Sequence, residues 1–274
     1  MQRYKFIDEN KEHLHTLDGK PLKGTTTVLN VLAKTLTWWA SGLAVAELGW
    51  IKKVDEREST KEEVIANGIA RLNAAEKKRV EISNMAVLPY LALLDKAYKA
   101  HSVKLDKSAD KGTDMHSYLE MYVKECIEKL GGVPCLVEKP EVPAVSLFAE
   151  WAVKNVKRFL ASEGHGYNER LWVGGKFDLL YEDNEGRLVI LDFKSAKQAY
   201  MSHFLQCAGN DLQISDSGVL DKDGNELIKL EKSIAYYGVF PFGMAKPEPQ
   251  FYFDVESAKI GFEACVTLDK IINK

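Results

Sequence analysis

The chain has 274 residues, 46% of them hydrophobic, and a formal net charge of −3. This length and apolar content allow one elaborated domain or two small ones, and the charge excludes a generally basic nucleic-acid coat while leaving room for a local basic groove. Met1-Gln2-Arg3-Tyr4-Lys5 lacks an apolar signal core, and no apolar run approaches the ~20 residues of a membrane span, so a soluble cytoplasmic protein without a membrane partner is expected.

Tyr4 to Leu17 reads as two short strands, with Asp18-Gly19-Lys20-Pro21 as the turn after them. Thr25-Thr26-Thr27 precedes Val28 to Ala33 as a capped helix start. Trp38-Trp39-Ala40 opens a helix running to about Val54, and Lys61 to Ser83 suits a long exposed helix. Pro89 begins another, ending near His101 before a polar loop, Ser102 to Ala109. From Lys111 to Leu130 the apolar positions return at helical spacing, with His116, Leu119, Val123, Ile127 and Leu130 on one stripe. Gly131-Gly132 ends it. A second long helix, Val142 to Ser162, carries Val145, Phe148, Ala152, Val156, Phe159 and Leu160 inward. Gly166 to Val173 reads as a strand, followed by a two-stranded hairpin, a helix over Ala199 to Ile214 and a turn at Asp221 to Gly224. Ser233 to Phe240 and Gln250 to Phe253 are predicted strands, and Val255 to Ile272 a closing helix. The hairpin carries Leu180, Leu188 and Ile190 on one face and Phe177, Leu179, Val189 and Leu191 on the other, which implies an α/β sheet covered by helices on both sides.

The hairpin carries the chemistry. Phe177 to Tyr181 and Leu188 to Phe193 are apolar, β-prone runs joined by Asp183-Asn184-Glu185-Gly186-Arg187. A three-residue loop, Asn184-Glu185-Gly186, with Gly186 in the left-handed position, pairs residue 183 with 187. Counting back sets Asp178 opposite Asp192, roughly 5 Å apart, where like charges destabilise a sheet unless a cation lies between them. Lys194 shares their face because strand side chains repeat every two residues. Two carboxylates suit a hard ion such as Mg²⁺ or Mn²⁺, with the Phe193 backbone carbonyl as a further oxygen ligand and the lysine orienting a water. His116 heads a buried stripe and is a candidate fourth ligand; taken alone it reads as a core histidine.

His116 within Lys111-Gly112-Thr113-Asp114-Met115-His116, then Gly175-Lys176-Phe177-Asp178, Asp192-Phe193-Lys194-Ser195 and Gln206 resemble the PD-(D/E)XK nuclease superfamily, in its RecB-like exonuclease branch. Gly24-Thr25-Thr26-Thr27-Val28-Leu29 and Trp39-Ala40 resemble what precedes the core in phage-encoded members. The resemblance implies a restriction endonuclease-like core over 111–274, a central mixed sheet flanked by helices, and a mainly helical N-terminal extension over 1–110. It implies a Mg²⁺- or Mn²⁺-dependent DNA exonuclease of phage recombination or replication, working in the host cytoplasm on duplex ends or single strands. A recombination or replication partner protein and self-association are compatible with it. His116, Asp178, Asp192 and the Phe193 carbonyl would hold the metal, Lys194 would activate water, and Gln206 would contact the scissile strand or a metal-bound water. Glu169 occupies a place where relatives often carry glutamate, and Glu169 and Ser195 stand as supporting candidates.

Two departures matter. Asn210 stands where relatives usually have Tyr, four residues after the Gln. Cys126, Cys135, Cys207 and Cys265 are scattered without a Cys-x-x-Cys pair, so free, mostly buried thiols and no iron–sulfur cluster are expected. Trp38 and Trp39 could stack bases, and Lys77-Lys78-Arg79 with Lys104, Lys107 and Lys111 could follow a phosphate backbone, but core tryptophans and solvated lysines are the plainer readings. An endonuclease on the same core and a catalytically silent DNA-binding subunit remain as alternatives.

Overall fold

A computed structural model of the protein describes residues 2–9, 12–32, 37–55, 57–137 and 142–273. The chain divides into two units, Met1–Ala33 with Lys111–Lys274, and Lys34–Asp110. The sequence-based division at 110 thus differs at the N-terminus, where residues 1–33 join the C-terminal unit. They do so because they contribute strands: β1 (Tyr4–Glu9), β2 (Glu12–Leu17), β3 (Lys20–Pro21) and β4 (Lys23–Gly24). Tyr4, Leu17 and Leu22 pack with Leu220 into a small buried cluster.

The Lys34–Asp110 unit holds α2 (Thr37–Ala46), α3 (Lys61–Ser83) and the start of α4 (Val87–Leu130). α2 stops eight residues short of the expected Val54, and Gly49 then takes a φ of 88°. α3 begins at a capping box, in which the Glu63 amide donates to Thr60 Oγ1 and the Thr60 amide to Glu63 Oε2. The expected loop over Ser102 to Ala109 is instead helical backbone within α4. Nothing after Pro89 stops the helix, and the lone Gly112 costs only about 1 kcal/mol relative to alanine. The side chains of Trp38, Trp39, Lys104, Lys107 and Lys111 lie outside the described residues. Lys78 pairs with Glu81 and Arg79 with Glu76 along α3, which neutralises two of the three cations of that basic run.

In the other unit, α1 (Thr25–Leu29) starts at Thr25 itself, with Gly24 in the N-cap position and no side-chain cap, so the threonines lie inside the helix and do not precede it. α5 (Pro143–Asn155) is shorter than expected, and β5 (Val156–Asn168) takes over from Val156. Val156 and Phe159, read as helical, instead pair with Asp183 and Tyr181 on β6 (Val173–Asp183), where two register shifts accommodate the change. β7 (Leu188–Lys194), α6 (Met201–Ser217), β8 (Val219–Leu220), β9 (Glu226–Ile228), β10 (Ile234–Pro241), β11 (Gln250–Tyr252) and α7 (Val255–Ile272) complete the unit.

Its mixed eight-stranded sheet runs β11-β10-β7-β6-β5-β8-β9, with β4 beside β6. β5, β6 and β7 are antiparallel, whereas β10 pairs parallel with β7 after a crossover through α6. Apolar clusters cover both faces. One joins Leu180, Leu188 and Ile190 to α6 and α7, the other joins Leu179, Val189 and Leu191 to α5 and the end of α4. Phe177 packs with the first cluster and not with Leu179: Gly164 on β5 lacks a side chain, and any Cβ there would lie 2.3 Å from the Phe177 ring. Of the α4 stripe, Leu119 and Val123 are fully buried, while Leu130 is exposed and Tyr122 and Cys126 fill the core in its place. Among the described residues no helix is long and apolar enough to cross a membrane.

Candidate active site

The hairpin turn fixes the site. Gly186 has a φ of 76°, its amide donates to the Asp183 carbonyl, and the Asp183 amide donates to the Arg187 carbonyl at 3.0 Å. β6 and β7 then pair Glu182 with Leu188 through Leu179 with Leu191, and the ladder ends there, one residue short of the expected Asp178–Asp192 pair. On the other flank Ser162 pairs with Leu179 and Gly164 with Phe177, so Glu163 lies across from Asp178. Glu163, Asp178 and Asp192 thus stand on three neighbouring strands, β5, β6 and β7.

α4 and α6 close on that row. His116 Nε2 lies 2.9 Å from Asp178 Oδ2, and its ring meets Phe193 edge-on. The Phe193 amide donates to Asp178 Oδ2 at 2.7 Å, a backbone contact different from the carbonyl ligation expected of this residue. Lys194 Nζ is 2.7 Å from Asp192 Oδ2, an ion-pair contact without hydrogen-bond alignment, and Gln206 Nε2 donates to Asp192 Oδ1 at 3.4 Å. His116 is thus brought to Asp178, and Lys194 and Gln206 to Asp192, but Asp192 is not among the side chains whose ligand atoms converge within 4.8 Å.

Glu163 is the residue that sequence reasoning missed. One ligand atom each from His116, Glu163 and Asp178 lies within 4.8 Å of the others. Glu163 pairs with Lys176 through Oε2, while Oε1 is buried without a hydrogen-bond partner. Glu169, the glutamate expected in support, is instead held by Arg3 at 3.0 Å, and its amide donates to Asp216. Its place follows from β5 ending at Asn168, which puts Glu169 in the turn beyond the strand. Ser195 is exposed just past the end of β7.

The charges are unequal. Burial raises the Asp178 carboxyl, but the His116 hydrogen bond and charge outweigh it and hold the group below the ordinary carboxylate range. Burial and the neighbouring Asp178 charge push Asp192 up, against the pull of Lys194. Burial lowers Lys194, yet Asp192 and Asp178 leave it above its usual value, so it stays an ammonium. Such divergence within one cluster is a mark of functional sites, though structural ion pairs produce it too.

Asp178 and Gln206 line a cleft of about 880 Å³, together with Phe6, His15, Lys23 and Trp172. Asn210, packed against Gly175 of that cleft, is fully buried with neither amide atom hydrogen-bonded. Cys207 on α6 and Cys265 on α7 are buried in the core; Cys126 is buried with its sulfur 4.0 Å from that of exposed Cys135. No family model matches the chain, and no curated protein matches it.

Proposed function

We propose that this chain is a divalent-metal-dependent deoxyribonuclease with a PD-(D/E)XK core of the RecB-like exonuclease type, acting on DNA ends or single strands. The observation that carries the reading is the convergence of His116, Glu163 and Asp178, whose ligand atoms lie within 4.8 Å of one another, with the Asp192–Lys194 pair on the neighbouring strand. Hard carboxylate oxygens with one imidazole and no thiolate suit Mg²⁺ or Mn²⁺ better than zinc. The unpartnered Glu163 Oε1 fits a ligand that the chain itself does not supply. His116, Glu163, Asp178 and Asp192 would hold the ion, with the Phe193 carbonyl as a further oxygen. When bound, the ion supplies charge neutralisation at a phosphate and an acidified water.

The chain's own groups do the rest. Lys194, kept charged beside Asp192, orients the attacking water and faces the negative charge that builds on the phosphate. Gln206, anchored on α6, fixes Asp192 and reaches the cleft where the scissile strand lies. Trp172 and Phe6 offer flat surfaces to bases.

The test incubates end-labelled linear single- and double-stranded DNA and a closed circle with Mn²⁺, comparing the native protein with Asp192→Ala. The native protein degrades linear DNA and spares the circle, and Asp192→Ala loses at least about 10²-fold in rate. Cleavage of the circle would make it an endonuclease. Intact DNA in every lane would leave a DNA-binding subunit and remove the enzyme.

A further inference from the structure

Lys176 is a cation that the hydrolysis scheme leaves unused. It lies on β6 two residues before Asp178, and its Nζ pairs with Glu163 Oε2. Two clefts meet at it. The first contains Asp178 and Gln206; the second, about 550 Å³, is lined by Lys5, Glu163, His165 and Lys222, and Phe6 and Lys176 line both. Glu163 meanwhile belongs to the set of three side chains able to hold one ion. A single carboxylate cannot serve an ammonium and a divalent ion equally, because the two cations repel at that distance. Ion binding at Glu163 therefore weakens its hold on Lys176, a long side chain whose stem stays fixed at the junction of the clefts. The anion then within reach is a phosphate of a strand running through both.

We propose that Lys176 is a substrate-binding residue that changes partners: it neutralises Glu163 in the metal-free protein and transfers to a DNA backbone phosphate when a divalent ion takes Glu163, His116 and Asp178. The proposal deepens the nuclease reading and rests on it. It makes metal and DNA binding mutually reinforcing, since each removes a cost from the other.

The test follows two bindings, neither of them catalysis. Mn²⁺ binding to DNA-free protein is measured by isothermal titration calorimetry. Binding of a fluorescein-labelled single strand is followed by anisotropy, in Ca²⁺ and in EDTA. Lys176→Met tightens Mn²⁺ binding several-fold, because the competing ammonium is gone. In Ca²⁺ it weakens DNA binding about ten-fold and lowers the salt slope by about one. In EDTA its DNA affinity matches the native protein. Lys176→Arg retains the metal-dependent gain in DNA affinity, and Lys176→Gln replaces the Met variant if the latter does not fold. The proposal is overturned if removing the charge weakens Mn²⁺ binding, or leaves the metal-dependent gain and the salt slope intact. If the native protein binds neither Mn²⁺ nor DNA, the nuclease reading itself fails.

Discussion

Glu163 sits at a φ of 58°, in the left-handed region that a side chain normally avoids. Such a conformation costs on the order of 1–2 kcal/mol and persists only where its surroundings impose it. Here the pairs Ser162–Leu179 and Gly164–Phe177 on either side impose it, and the result is a carboxylate turned toward His116 and Asp178. Burial pushes Glu163 up while Lys176 pulls it down. A ligand role and a merely structural role separate in one comparison. Glu163→Gln weakens Mn²⁺ binding, measured by calorimetry, at least about ten-fold. Glu169→Gln, which loses only the exposed contact to Arg3, leaves Mn²⁺ affinity and thermal midpoint unchanged. Equal losses in both variants would remove Glu163 from the ligand set. Asp178, Asp192 and Lys194 were legible in the sequence because a short turn with one obligatory glycine sets their register from local rules alone. Glu163 was not, because Val145, Phe148, Ala152, Val156 and Phe159 keep an apolar spacing that a helix also satisfies. Only pairing with β6 decides for a strand.

Among the elements, the end of α4 shows how a backbone detail holds a site residue in place. Gly132 has a φ of 89°; its amide donates to the Cys126 carbonyl and its carbonyl accepts from the Phe159 amide. A Cβ at this position would lie 2.2 Å from the Phe159 oxygen. The glycine thus ties the helix that carries His116 to the strand that carries Glu163. Gly132→Ala combines a forbidden φ with a backbone clash and costs about 2–4 kcal/mol, read from urea unfolding. A loss below about 0.5 kcal/mol would show that this tie carries no strain. Gly131-Gly132 announced the helix end plainly. The uninterrupted run of α4 before it was hidden, because Ser102 to Ala109 is polar enough to pass for a loop yet contains no residue that stops a helix.

At the level of the whole molecule, the N-terminal strands close the larger unit over two buried histidines. Tyr4 Oη lies 2.7 Å from His15 Nδ1 and 3.3 Å from His165 Nδ1, and Phe6 packs at a tilt against both rings. Burial is the main force pushing His15 down to about 4 and His165 down to about 3. In the unfolded chain both titrate near 6.5, so between that value and about 4 the unfolded state binds more protons. Their contribution to stability is complete above pH 6.5 and drains away as pH falls through the folded values. Urea midpoints measured across this window fall with acidification in the native protein, and His165→Gln flattens that fall. An unchanged slope would mean that His165 is protonated in the fold. Packing of residues 1–33 onto the second half of the chain lay beyond sequence reading, since β4 is two residues long and its partner lies some 150 positions away.

The Asn184-Glu185-Gly186 loop stands five strand positions from Asp178, roughly 17 Å along the sheet. It nonetheless acts as the index pin of the centre. One added residue there would advance one strand against its neighbour and swing Asp192 through to the opposite surface. The cluster would come apart without any of its side chains having been altered, so loop length in this hairpin is bound as tightly as the identity of the acids it aligns.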